Sequence, residues 1–167
     1  MKALLVMLLV VLPFTAVEAD ENSTAELYAL NFPALNGEPH SFEQYRGQVL
    51  LVNFWATWCP PCVREMPALS RLQQAFADAP FRIVAISAGE TAESVETFRK
   101  GLAQPLQLQF LLDPQGRTFS EFELRGLPMS YLYDHSGKLV EVITGDEAWD
   151  SKPWQQRIRA LVDAARK

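Results

Sequence analysis

Residues 49–55, VLLVNFW, constrain the fold more than any other stretch of this chain. They are apolar, β-branched or aromatic almost throughout, with no alternation between polar and apolar positions. That pattern predicts a strand buried on both faces, as in the middle of a sheet covered by helices. Downstream the period changes. Met66, Leu69, Leu72 and Phe76 recur at spacings of three and four, which predicts a helix from Pro60 to about Asp78. Pro60 and Pro61 suit its first turn, where backbone N–H groups have no intrahelical partner. Pro67 lies deeper and is expected to kink the helix. Where strand meets helix stand the two cysteines of the chain, Cys59 and Cys62.

The rest of the chain supplies partners for that strand. Asn36-Gly37 in FPALNGEPHSF signals a tight hairpin turn, and Ser41 can cap a short helical turn through Tyr45, ended by Gly47. FRIVAIS (81–87) predicts a second buried strand, Thr91–Leu102 a second helix, and LQFLL (108–112) a third strand before the turn DPQG. Arg117–Phe122 reads as a short helix. MSYLY (129–133) and KLVEVIT (138–144) flank DHSG and suit a hairpin. Trp154, Ile158, Leu161, Val162 and Ala165 mark an amphipathic last helix with a cap near Asp150 or Ser151. Strands alternating with helices, then a terminal hairpin and helix, predict an α/β sandwich around one mixed sheet.

The chain has 167 residues, which suits one domain with a single core. Its 15 basic and 20 acidic side chains give a net charge of −5 without blocks of like charge, so no basic face for nucleic acid is expected. Lys2, the apolar run Ala3–Leu12, Pro13 and the small-residue end AVEAD follow the order of a signal peptide cleaved after Ala19. An uncleaved membrane anchor is the competing reading, but Pro13 leaves the run short of the roughly 20 residues that a spanning helix needs. The expected organisation is a signal peptide at 1–19, a polar leader at 20–29 and one domain at 30–167, working in the periplasm or elsewhere outside the cytoplasm.

Three uses of Cys59 and Cys62 compete. As a structural staple, their disulfide closes a very small loop, which in the chain-entropy model stabilises by only about 2 kcal/mol. A closed zinc site needs four ligands, and only His40 and His135 remain beside the cysteines, the second in the DHSG turn. Electron exchange fits the surroundings better. At a helix N-terminus, unpaired N–H groups and the positive end of the dipole stabilise a thiolate on Cys59. Cys62, one turn on, can then attack the mixed disulfide that Cys59 forms, making Cys59 the entering nucleophile and Cys62 the resolving thiol.

LVNFWATWCPPCVREMP closely resembles the active-site stretch of the TlpA/ResA/CcmG (DsbE) family of extracytoplasmic thioredoxin-like proteins. ALNGEPHSFEQYRGQ is similar to that family's N-terminal hairpin, and GLPMSYLYDHSGKLV to its segment around a cis-proline. The resemblance implies a thioredoxin-like fold with a βα insertion before the cis-Pro strand. It implies thiol–disulfide exchange through the Cys59–Cys62 pair, with no other cofactor. Partners would be proteins bearing disulfides or cysteine pairs, such as apocytochrome c or copper-site proteins. Electrons would come from a membrane thiol carrier of the DsbD/CcdA type, and a monomer is expected. Prolines between the cysteines agree with a reductant, because strongly oxidising relatives place a histidine there that stabilises the reduced thiolate.

The same resemblance marks further positions. Glu65 lies three residues past Cys62, on the same helix face, where the family carries an acidic residue. Asn53 stands where plain thioredoxins have a buried aspartate and cannot take a proton, so Glu65 becomes the expected acceptor. Trp58, Pro60 and Pro61 are expected around the substrate, with Trp55 as packing. The Leu127–Pro128 bond is expected to be cis, its backbone pairing with an extended substrate, and Met129 departs from the usual threonine. Two alternatives remain: a peroxiredoxin-like peroxidase, whose pattern puts threonine and proline before a lone cysteine, and a copper-binding carrier using Cys59, Cys62 and a histidine.

Overall fold

In the computed structural model, which describes residues 26–165, the chain enters through a helical turn at 26–29 and a short antiparallel hairpin. The hairpin pairs β1 (Asn31–Pro33) with β2 (Pro39–Ser41). Gly37 makes the turn at φ 82°, a conformation open to glycine, and Ala34 N–H reaches the Glu38 carbonyl at 2.8 Å. Ser41 Oγ then caps a 3₁₀ turn, Phe42–Tyr45, by accepting the Glu43 N–H. The segment read as a signal peptide lies outside the described residues. Packing already begins at Leu27 and Tyr28, both buried, so the packed unit starts before residue 30.

β3 (Val49–Trp55) is buried at every position, as its composition demands. α1 (Pro60–Ala75) leads to β4 (Phe81–Ala88), and α2 (Ala92–Lys100) to β5 (Gln109–Asp113). After α3 (Thr118–Glu121) come β6 (Met129–Tyr133), β7 (Leu139–Thr144) and α4 (Lys152–Ala164). The five-stranded sheet has the order β5-β4-β3-β6-β7, parallel from β3 to β5 and antiparallel from β3 to β7. β5 and α3 are the βα insertion expected before the cis-proline.

α1 runs unbroken through Pro67, which removes the N–H that the Val63 carbonyl would otherwise accept. Ser151 holds the N-cap position of α4, but its side chain makes no capping bond.

Both parallel crossovers step in the same direction along the sheet, and right-handed crossovers then put α1 and α2 on one face. α4 joins them there: Leu69, Leu72, Val95, Ile158 and Val162 share one core with Cys59 and Cys62. Among the described residues, the other face carries no long helix. It is covered by Leu27, Phe32, Phe42 and Tyr45 from the N-terminal segment, packed on Leu50, Val52 and Phe54 of β3. Burial of each such side chain contributes about 1.5–3 kcal/mol, so both layers are needed to keep β3 central. Among the described residues, no helix is long and apolar enough to cross a membrane.

Candidate active site

The C-terminal end of β3 delivers the chain into α1 through a three-residue turn, Ala56–Trp58, and Cys59 is the N-cap of the helix. Its backbone is extended (φ −97°, ψ 102°), and its sulfur accepts the Cys62 N–H at 3.4 Å. The two cysteines are joined as a disulfide with Cα atoms 5.3 Å apart. Cys59 keeps 4% exposure, whereas Cys62 is fully buried one turn inside. Pro60 is exposed and Pro61 half-buried on the first turn. Trp58 is 64% exposed beside Cys59, while Trp55 is buried against Phe98 and Phe110. The structure thus makes Trp58 a surface and Trp55 a packing element.

Met129 pairs with Phe54, so the start of β6 lies beside the end of β3 and next to the cysteine turn. The Leu127–Pro128 bond preceding it is cis. Leu127 packs on the core that contains both cysteines, and the Pro128 carbonyl is held by Gly145 N–H at 3.0 Å. Antiparallel pairing sends the other end of β6, and with it His135, to the opposite end of the sheet. His40 is bonded to the Tyr45 hydroxyl at 2.6 Å in the N-terminal segment. Neither histidine therefore joins the cysteines.

Glu65 points inward and is only 3% exposed. Three donors converge on its carboxylate. Asn53 Nδ2 donates to Oε1 at 2.8 Å, and Trp149 Nε1 and Glu147 N–H donate to Oε2 at 2.7 Å and 3.2 Å. Burial raises the Glu65 pKa above the ordinary glutamate value. The bonds from Trp149, Asn53 and Glu147 pull it back, and nearby Asp146 pushes it up again. The net direction is upward.

The loop that brings Trp149 to the site is pinned to α1 from outside, by Arg64 to Asp146 at 2.9 Å and Arg71 to Asp150 at 2.7 Å. Trp149 itself packs on Trp154, with ring centroids 4.6 Å apart. Residue spacing gave no sign of Trp149 or Glu147, which lie more than eighty positions along the chain from Glu65.

A five-stranded mixed sheet, a cysteine pair at the N-terminus of the first long helix and a cis-proline beside it define a thioredoxin-like protein. The chain belongs to the AhpC/TSA family, which matches residues 23–142. It is 36% identical over 125 residues to thiol-disulfide oxidoreductase ResA of Geobacillus thermodenitrificans, a match covering 74% of this chain and 68% of that one. With ResA of Geobacillus kaustophilus the identity is 36% over 113 residues, covering 66% of this chain but only 63% of the relative's length. Among solved structures, a Chlorobium tepidum protein described as thiol:disulfide interchange protein DsbE is similar. It has a TM-score of 0.71 and 26% identity, covering 80% of this chain and 92% of that one.

Proposed function

We infer that this protein is a thiol–disulfide oxidoreductase that reduces disulfides in partner proteins outside the cytoplasm. The observation that carries the reading is the pairing of Cys59 with Cys62 at the N-terminus of α1, with the buried Glu65 carboxylate on the same helix. In the reduced protein the Cys59 thiolate attacks one sulfur of the partner's disulfide. That S–S bond breaks, a mixed disulfide forms, and the partner's other sulfur leaves as a thiolate that takes a proton. Cys62 then loses its proton to Glu65 and attacks the Cys59 sulfur. The second partner thiol is released, and Cys59–Cys62 ends as the disulfide, two electrons having passed to the partner.

The Leu127–Pro128 backbone offers an edge for an extended partner segment, and exposed Trp58 a wall for it. The names of relatives such as ResA and DsbE support thiol–disulfide exchange with partner proteins. Partners of the apocytochrome c kind and a membrane thiol carrier as electron source are proposed from the resemblance of the cysteine stretch to the TlpA/ResA/CcmG family. The apolar segment at 3–12 supports export. The test is reduction of a disulfide-bonded peptide with C-x-x-C-H spacing, the haem-attachment pattern. Stoichiometric transfer from the reduced protein is expected, and no transfer would reject the reading.

A second reading, peroxide reduction, is prompted by the AhpC/TSA match. The proline follows the first cysteine here rather than preceding a lone one, and Cys62 already sits at bonding distance, which favours exchange. Hydrogen peroxide consumption by the reduced protein, compared with peptide reduction, separates the two.

A further inference from the structure

A second carboxylate is buried at the same end of the sheet as the cysteines. Glu90, just after β4, is 8% exposed. Its Oε2 accepts the Thr57 backbone N–H at 2.8 Å and the Ser87 hydroxyl at 2.6 Å, and its Oε1 accepts the Thr57 hydroxyl. All three donors are neutral. Bonds from neutral donors to a carboxylate are about twice as strong as neutral pairs, so this cluster grips Thr57 at both its backbone and its side chain.

Thr57 lies two residues before Cys59 in the turn that joins β3 to α1. In the same turn the Ala56 carbonyl accepts the Cys59 N–H at 3.2 Å. Trp58, between them, is mostly exposed and gives the turn little packing of its own. The conformation that points the Cys59 sulfur at the Cys62 N–H therefore depends on what holds Thr57. We propose that Glu90 is a positioning residue for Cys59: by anchoring Thr57 it keeps the Cys59 sulfur against the N-terminus of α1, where the thiolate is stabilised. This rests on Cys59 being the attacking thiolate.

Charge and position act on that thiolate with opposite signs. A nearby carboxylate disfavours a second negative charge, so loss of the Glu90 charge alone would lower the Cys59 pKa. Loss of the anchor would raise it, because the sulfur leaves the helix terminus. Other ionisable groups at this end include Glu65 and Arg64 on α1, Asp113 at the end of β5, and Asp146 and Glu147 before α4. They are the same in each variant below.

The test is the alkylation rate of Cys59 in reduced protein from pH 5 to 10, read by mass spectrometry of its peptide. The variants are Glu90→Ala, Glu90→Gln and Thr57→Val. With Glu90→Ala the midpoint is expected to rise by about one unit toward the free-thiol value, slowing alkylation at pH 7 nearly tenfold. Glu90→Gln keeps one acceptor oxygen at the same reach but loses the charge, so its midpoint is expected to fall slightly below wild type, opposite in direction to Glu90→Ala. Thr57→Val, which removes one bond and no charge, is expected to move the midpoint up by a smaller amount. A midpoint that falls in both Glu90 variants would show that only charge matters. A midpoint unmoved in Glu90→Ala, or in Thr57→Val should the alanine variant not fold, would leave Glu90 a structural group. Either result overturns the proposal. Failure of wild type to exchange disulfides would instead reject the oxidoreductase reading, since alkylation does not depend on it.

Discussion

Asn53 in the central strand donates one amide nitrogen to two acceptors, Glu65 Oε1 at 2.8 Å and Ser130 Oγ at 2.9 Å. The bond joins the middle of β3 to the active-site helix without adding charge. It also means that the single ionisable side chain in this contact is Glu65, since Asn53 and Ser130 are neutral.

Asn53→Asp would set a second carboxylate beside the first. Two like charges in a buried site cannot both form without cost, so one should keep its proton at neutral pH. Both folded-state pKa values are then raised, and stability is greatest at low pH and falls as pH rises through them. The expected loss at pH 7.5 is on the order of 1–3 kcal/mol, the cost of a buried polar group left badly paired, with recovery at pH 4.5. Urea denaturation at the two pH values measures it, and equal losses at both would contradict the account.

Glu65→Gln is expected to fold, to slow thiol–disulfide exchange about tenfold and to flatten its pH dependence. The stability linkage has a definite sign. Because burial raises the Glu65 pKa, its contribution is fully present below the ordinary value near 4.5 and is lost as pH rises through the higher folded value. Wild type minus variant stability should therefore shrink across that interval. Stopped-flow rates from pH 5 to 9 and melting curves over the acidic range check both halves.

Trp149→Phe keeps a ring against Trp154 and removes the N–H that Glu65 Oε2 accepts. With one donor gone, burial acts less opposed and the Glu65 pKa should climb further. The exchange profile is expected to shift to higher pH, and stability to drop by about 1.5–3 kcal/mol, the range for a bond to a charged group. A profile that overlays wild type would mean that the indole only packs.

Local patterns in the sequence reached a definite part of this arrangement. The buried strand 49–55, the Ser41 cap, the Asn36-Gly37 turn and the inward face of Glu65 follow from residues close together in the chain. The cis bond before Pro128 came from family likeness, since most X–Pro bonds are trans. Trp149, Glu147 and Glu90 left no local mark: Glu90 meets Thr57 across 33 positions and Trp149 meets Glu65 across 84. Such contacts are created by strand order, which brings the ends of β3, β4 and β7 together. The placing of α1 and α2 on one face likewise follows from the direction of the two parallel crossovers.

No titrating side chain lies between Cys59 and Cys62, so nothing in the motif favours the reduced thiolate as a histidine would. A reduction potential near that of thioredoxin, about −270 mV, is expected rather than one near −120 mV. Equilibration against a glutathione series should leave the protein largely oxidised, and ready reduction by glutathione would reject the expectation.

The division of labour between the cysteines is the central claim, and one trapping measurement tests it most directly. Reduced Cys62→Ser protein is mixed with the disulfide-bonded C-x-x-C-H peptide and resolved without reductant. A stable one-to-one mixed disulfide through Cys59 is predicted, with none from Cys59→Ser and with free, reduced peptide from wild type. An adduct on Cys62, or no adduct from Cys62→Ser, would contradict it.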